Sequence, residues 1–250
     1  MRGLKSYRSG IARSLQGNIV IFLVLVLVGA FMFLPFLYAI VQAFKPMDEI
    51  FAYPPRFFVR QPTWDNFKNL SQLTDSLWVP FSRYVLNSVI VTVVTTALGL
   101  VIASMAAFPL AKYKFPGHGW MFKLVVTALL FSGPVTALPQ YIIVAKLGLI
   151  NTYWAVILPA AAAPLGLFLM KNFMHQISDS LLEAATIDGA GIFRIFTRIA
   201  LPIVRPAALT LIIFTFQSTW NSTGGSFIYE EKIKLLPTVL SQIVTAGISR

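Results

Sequence analysis

A run of 25 residues with no charged side chain, from Asn18 to Gln42, limits what this chain can fold into more than any other stretch. At about 1.5 Å per residue, a helix of that length crosses a hydrocarbon core of about 30 Å with some tilt, and it satisfies its own backbone polar groups on the way. The run is too long for a signal-peptide core, and no small-residue cleavage site ends it. Composition agrees: 57% of the 250 residues are hydrophobic and 12% are charged, against roughly 25% charged in an ordinary soluble domain. The expected fold is all-α, a polytopic helical bundle in a membrane.

The formal net charge of +11 does not point to nucleic acid, because Lys and Arg are spread over the segments between apolar runs and form no dense patch with interleaved aromatics. The absence of Cys excludes a disulfide framework, a thiol nucleophile and a Cys-ligated metal.

Residues 1–17 place Arg2, Lys5, Arg8 and Arg13 around an apolar face of Leu4, Tyr7, Ile11 and Leu15, a basic amphipathic lead-in suited to the cytoplasmic membrane surface. The first span, 18–44, then enters from inside. Residues 45–83 mix Pro54, Pro55 and Pro62 with aromatics and both signs of charge, which suits an ordered external loop. A second span is expected over 84–110. Its Ser88, Thr92, Thr95, Thr96, Gly99 and Ala103 make a small-residue face; helix packing is the preferred reading of it, and substrate contact the alternative. Lys112, Lys114, His118 and Lys123 follow in a connection without acids, cytoplasmic by the positive-inside rule.

The third span is expected over 120–144, its ladder broken by Pro134 and Pro139, and the fourth over 152–170, with Pro159 and Pro164. Lys171, Arg194, Arg198 and Arg205 flank the polar stretch after it and place that stretch in the cytoplasm. The fifth span runs over 203–219. Residues 222–237 make an external loop, and a sixth span beginning at Leu236 is expected to be cut off at Arg250. Residues 84–250 thus form one core, with a cytoplasmic loop at 178–202.

That loop is a polar island between apolar runs. Ser180 and Glu183 have the spacing of a capping box, and Gly189, with Gly191 behind it, supplies the left-handed position that ends a helix of about two turns. A second short helix follows, with Ile192, Ile195, Phe196 and Ile199 on one face and Arg194 and Arg198 elsewhere. No catalytic constellation accompanies it: His118 and His175 have no second ligand nearby in sequence, and no HExxH, GxSxG or GxxxxGK[ST] motif occurs. The five central spans offer no clear ionisable pair at membrane depth for proton or sodium coupling. The chain is therefore expected to be no enzyme and to hold no cofactor or metal, its driving energy coming from a partner. A stand-alone carrier is the alternative.

Glu183-Ala184-Ala185, three residues, Gly189, nine residues, Ile199, one residue and Leu201-Pro202 resemble, in every fixed position, the EAA loop of ABC-importer inner-membrane permeases. The likeness extends over nearly the whole chain and is greatest to the maltose-type permeases of carbohydrate uptake. The segments 83–88, 106–115 (where Pro109 departs from the pattern), 147–154 and Trp220-Asn221 resemble further landmarks of that family.

The resemblance implies a type I importer permease, multi-pass in a bacterial or archaeal cytoplasmic membrane with its amino terminus inside. It would be paired with a second permease and served by ATP-binding subunits, which bind the nucleotide, and by an external solute-binding protein. Glu183, Ala184, Ala185, Asp188 and Gly189 would dock the ATPase. For Glu183 the cap and the contact remain open together, as do bend-capping and docking for Asp188; Arg194 and Arg198 read as solvated or headgroup-facing residues, and Leu201-Pro202 as the hinge into the fifth span. Thr210, Phe214, Gln217, Ser218 and Asn221 share one face of that span and are candidates to line a pathway, helix packing being the competing reading. Gly224, Gly225 and Phe227, in a loop made pliable by its glycines, are candidates to meet the binding protein. The implied solute is a sugar or oligosaccharide, with a non-sugar solute as the alternative.

Overall fold

The computed structural model describes residues 15–75, 79–131 and 133–248, and among them every regular element is helical. Most of the lead-in at 1–17 lies outside the described residues. The chain divides into two compact units, Met1–Ser76 and Leu77–Arg250.

In the first unit, α1 (Leu15–Ala43) is apolar all round, and the large side chains from Ile19 to Phe36 are exposed, as suits a helix solvated by lipid. The segment behind it is folded, containing α2 (Met47–Ile50) and α3 (Asp65–Asp75). The Asn66 amide of α3 donates to the carbonyls of Ala43 at 3.0 Å and Lys45 at 2.7 Å, satisfying acceptors that the end of α1 leaves open. Lys45 itself is 1% exposed; its ammonium donates to the Arg56 carbonyl and lies 5.9 Å from the centre of the Tyr38 ring. Phe44, Trp64 and Phe67 pack ring to ring at 5.1 to 5.3 Å. The order expected of this loop is thus built from one buried cation, one amide and three aromatics.

The second unit is organised on α4 (Phe81–Lys112), a helix of 32 residues. Against it pack α7 (Trp154–Ala161), α8 (Pro164–His175), α12 (Arg205–Trp220) and α13 (Leu236–Ile248). The small-residue face does what close packing requires: Ser88, Thr92, Thr95, Gly99 and Ala103 are buried. A Cβ on Gly99 would lie 3.5 Å from the Ala161 carbonyl oxygen, and one on Gly166 would lie 3.0 Å from Leu211 Cδ1 and 3.4 Å from Ala103 Cβ. Backbones come this near only where side chains are small.

Where the third span was expected there are two helices, α5 (His118–Ala128) and α6 (Gly133–Lys146), with a sharp bend between them. α5 ends at Ala128 and α6 begins at Gly133; Pro134 sits in the first turn of α6, where its missing N–H loses nothing, while Pro139 stays inside α6 and breaks only its own bond. The fourth span is also interrupted. Ala163 is extended, as the residue before a proline prefers, and α7 and α8 together cover Trp154–His175, further than 152–170.

Past α8 come α9 (Asp179–Ile187), α10 (Ile192–Ile195), a π turn at Phe196–Ala200 and α11 (Leu201–Ile203). The stretch Ile192–Ile203 meets α12 at 78°. This bend corrects the expected hinge: Pro202 lies within α11, and the turn is made at buried Val204, just ahead of Pro206 in the first turn of α12. The core beneath is built by Ala107, Phe108, Met170, Met174, Ile177, Ile195, Phe196, Ala200, Val204, Ala207 and Leu211.

Gly166→Leu is expected to lower stability by about 1–3 kcal/mol through overpacking against Leu211 and Ala103. Gly29→Leu in α1, where a Cβ meets nothing within 4 Å, is expected to change little. Thermal unfolding of both variants in the same detergent checks the difference.

Candidate coupling site and the loop at the other end of α4

The sequence Asp179 to Gly191 folds locally as a helix, a left-handed stop and an extended step. Gly189 has φ +79°, and the Ala190 and Gly189 amides donate to the carbonyls of Ala185 at 2.9 Å and Thr186 at 3.0 Å. These two bonds close the carboxyl end of α9. A side chain at Gly189 would strain this backbone although no atom stands in its way.

The capping box does not form. Ser178 is the amino-terminal cap, without a side-chain bond to a helix amide; its hydroxyl instead pairs with that of Ser180 at 2.7 Å. The helix therefore starts two residues before the spacing of Ser180 and Glu183 requires. Glu183 is left in the second turn, exposed, its carboxylate engaged in no hydrogen bond or ion pair among the described residues. Asp188 ends α9 through its backbone, its amide donating to Ala184 at 3.0 Å, and its side chain is exposed.

What anchors α9 is a residue to which sequence reasoning gave no role here. Lys112, the last residue of α4, is 5% exposed at its side chain, and its ammonium lies 2.7 Å from Asp179 Oδ1. It also donates to the carbonyls of Ile177 and, at 3.4 Å, His175, so one cation closes the end of α8 and the start of α9 together. The hydrogen bond and charge of Lys112 hold the exposed Asp179 carboxyl below the usual carboxylate range. One turn earlier on α4, the Phe108 ring meets that of Phe196 at 5.4 Å and roots the second arm. Both arms of the helix pair thus rest on the last turns of α4.

Between the root and the tip lies a cavity of about 560 Å³ lined by Lys112, Asp179, Leu182, Glu183, Thr186 and Ile187, among others. Beyond it the tip is apolar and open: Ile187 is 86% exposed, Phe193 72% and Ile192 63%. Ile192 was expected to share one face with Ile195, Phe196 and Ile199. Ile195, Phe196 and Ala200 are buried, while Ile192, the first residue of α10, stands at the exposed tip; past Phe196 the π turn shifts the register so that Ala200 is buried and Ile199 half-buried. Ala184 is exposed and Ala185 is packed against the core, while Arg194 and Arg198 are exposed. Such a surface, an acid among apolar side chains on a capped helix, suits a protein groove; among the described residues no group of His, Asp and Glu could hold a metal.

At the other end of α4 the loop after α12 is fastened down. Asn87 donates to the carbonyls of Lys232 and Lys234, both at 3.0 Å, and accepts from the Tyr153 hydroxyl at 2.7 Å. Tyr84 donates to Glu231 at 3.0 Å, and the Leu236 amide donates to Ser88 at 2.8 Å. Asn151, at φ 60°, takes the amides of Tyr229 at 2.7 Å and Glu230 at 3.1 Å on its side-chain oxygen, while its own amide donates to Phe227 at 2.9 Å. The expected pliability is corrected accordingly. Gly224 is buried at φ +74°, and a Cβ there would come within 2.9 Å of Ile228; Gly225 is exposed, and half-buried Phe227 stacks on Tyr141 at 6.3 Å. The sequence signal for this clamp was the pair of landmarks at 83–88 and 147–154, whose joint purpose only the fold reveals.

Thr210, Phe214, Gln217, Ser218 and Asn221 are all exposed on α12, so packing within this chain does not account for them. Thr210, Ser218 and Asn221 bond to carbonyls of their own helix, at 2.9, 3.1 and 2.8 Å.

Lys112→Met is expected to loosen the α8–α9 corner by about 1–3 kcal/mol, since two carbonyls lose their donor; faster hydrogen exchange at 178–187 is the readout. Because the Asp179 value is depressed by folding, the contribution of its pair is complete above the ordinary carboxylate range and is lost as pH falls through the depressed value. Protection of 178–187 should follow that course in acid, and Asp179→Asn should flatten it. Asn87→Leu should likewise cost about 1–3 kcal/mol at the opposite loop, read as exchange at 228–236.

Comparison with known proteins agrees with this architecture. The chain is 37% identical over 202 residues to Protein LplC of Bacillus subtilis, covering 81% of this chain and 66% of that protein. It is 34% identical over 212 residues to the probable ABC transporter permease protein YurM of the same organism, covering 83% and 68%. It is 33% identical over 190 residues to the arabinooligosaccharides transport system permease protein AraQ of Halalkalibacterium halodurans, covering 75% and 67%. The matched region thus spans about two thirds of the length of these relatives. No protein-family model matches. A solved chain of a bacterial ABC transporter involved in import of the acidic polysaccharide alginate shares the fold, with a TM-score of 0.72 at 21% identity over 94% of this chain and 83% of that one. With these sequence similarities and this arrangement of helices, the chain belongs to the membrane-permease family of ABC transporters.

Proposed function

We propose that the chain is a transmembrane permease subunit of an ATP-driven importer. The single observation that carries this reading is the exposed tip of the 178–203 helix pair, apolar and acidic at once, on arms rooted in α4 by Lys112 and Phe108. In this reading the tip lies in the cytoplasm, with the amino terminus on the same side, and seats in a groove of an ATP-binding subunit. Glu183 accepts a charge-assisted bond there; Ala184 and Ala185 allow close approach, Gly189 sets the angle, and Asp188 adds a second acid at the rim. Ile187, Ile192 and Phe193 supply the desolvated area. The nucleotide belongs to the partner, and this chain holds no cofactor.

Closure of the ATPase would pull the tip and, through Lys112 and Phe108, the end of α4. A second permease subunit would complete the pathway, with Thr210, Phe214, Gln217, Ser218 and Asn221 of α12 facing it. The 222–237 loop, with Gly225 and Phe227 at its surface and Gly224 shaping its turn, would meet a solute-binding protein outside. The names of AraQ, of the polygalacturonan/rhamnogalacturonan permease YtcP and of the diacetylchitobiose uptake permease NgcG favour a sugar or oligosaccharide as solute. The relative GgtD, an osmoprotective compounds uptake permease, keeps a non-sugar solute as the second reading.

Phe193→Asp is expected to lower copurification of the cognate ATPase by at least about tenfold, as loss of an interface hot spot does, and to abolish ATP-dependent uptake. Glu183→Ala is expected to weaken both to a lesser degree, while Phe58→Asp, at a similarly exposed ring in the first unit, should leave both unchanged. Normal uptake and copurification with Phe193→Asp would refute the docking assignment.

A further inference from the structure

On the α5 side of the Lys112 anchor, the ends of three helices enclose a second cavity of about 420 Å³. Lys114 lines it from the link after α4, His118 and Phe122 from α5, and Lys171 and His175 from α8. Asp179 is the one acid among its lining residues and is already engaged by Lys112. Neither Lys114 nor Lys171 forms an ion pair among the described residues, so the cavity keeps an unbalanced positive charge. The Lys171 ammonium is held 4.0 Å from the centre of the Phe122 ring, where the aromatic face attracts it. His118 Nδ1 lies 3.1 Å from the Phe115 carbonyl, which fixes the imidazole against the same link.

Depth separates this cavity from an ordinary solvated basic patch. Its walls are the last turns of α4 and α8 and the first turns of α5; α4, and α7 with α8 together, are long and apolar enough to cross a membrane. Tyr113 and Trp120 are exposed at the same end, the amphipathic rings typical of a membrane interface. Basic pockets between span ends at that level match the phosphate of a lipid headgroup. The acidic and apolar tip that suits a protein partner borders the other cavity, with Glu183 and Ile187 in its lining.

We propose that this cavity binds the phosphate headgroup of an anionic phospholipid through Lys114 and Lys171, with His118 and His175 at its rim. Bound there, the phosphate ties the α4–α5 link to the end of α8 and balances charge that the chain leaves unpaired.

The test is native mass spectrometry of the full chain released from detergent, titrated with dioleoylphosphatidylglycerol or with zwitterionic dioleoylphosphatidylcholine. Phosphatidylglycerol should be retained selectively, and the double change Lys114→Gln with Lys171→Gln should reduce its retention at least about tenfold. The charge-matched control, Lys68→Gln with Lys123→Gln, removes two cations that do not line the cavity and should change retention little. Lys114→Arg with Lys171→Arg should keep the lipid, which separates a lost site from a damaged fold. Equal loss in the control pair, equal retention of both lipids, or displacement by inorganic phosphate at the same concentration would overturn the proposal in favour of diffuse charge or a free-anion site. Intact lipid retention combined with lost ATPase copurification in the Gln pair would overturn it in favour of a protein contact. No ATPase is present in the lipid measurement, so its outcome is independent of the docking experiment.

Discussion

A lysine ammonium taken out of water is costly unless its donors are met, and Lys112 meets them with two carbonyls and a carboxylate. The carbonyls of His175 and Ile177 belong to a corner where α8 ends and α9 begins, and acceptors at such a place have no helical partner of their own. One side chain from a third helix therefore satisfies the ends of two others. The buried apolar cluster of Met170, Met174, Ile177 and Phe196 then lies beneath a corner of fixed geometry.

Packing on α4 follows a different logic from that of a soluble core. Lipid tails are as apolar as leucine, so association of spans depends on fit more than on escape from water. Gly99 brings its backbone close to that of Ala161, and Gly166 takes the side chains of Leu211 and Ala103 into the space that a larger residue would fill. The exposed apolar surface of α1, by contrast, needs no partner within the chain once lipid is its solvent.

The sequence made the spans legible because their signal is local: length, absence of charge, and prolines near breaks. Gly189 was legible for the same reason, since a left-handed stop is written in one residue. What escaped was set at a distance. Asn87 bonds to carbonyls 145 and 147 residues away, and Lys112 to groups 63 to 67 residues away; no periodicity carries such pairings. The capping box failed because a helix start two residues earlier left Ser180 inside the first turn, and the exposure of Ile192 was not legible because the residue stands at the tip, outside the buried cluster that takes up Ile195 and Phe196. The bend at Val204 in place of Pro202 has a similar origin: two prolines, Pro202 and Pro206, were available, and only packing around the buried valine decides between them.

The two fastened ends of α4 have one more consequence. Tyr84, Asn87 and Ser88 hold the 222–237 loop at its beginning, and Phe108 and Lys112 hold the 178–203 helix pair at its finish. Held at both ends, α4 would act as a connecting rod in the proposed importer, carrying a displacement at one end to the other. Equilibrium linkage makes such a rod indifferent to direction: a ligand that favours one position of α4 through the first end alters affinity at the second by the same factor that operates in reverse.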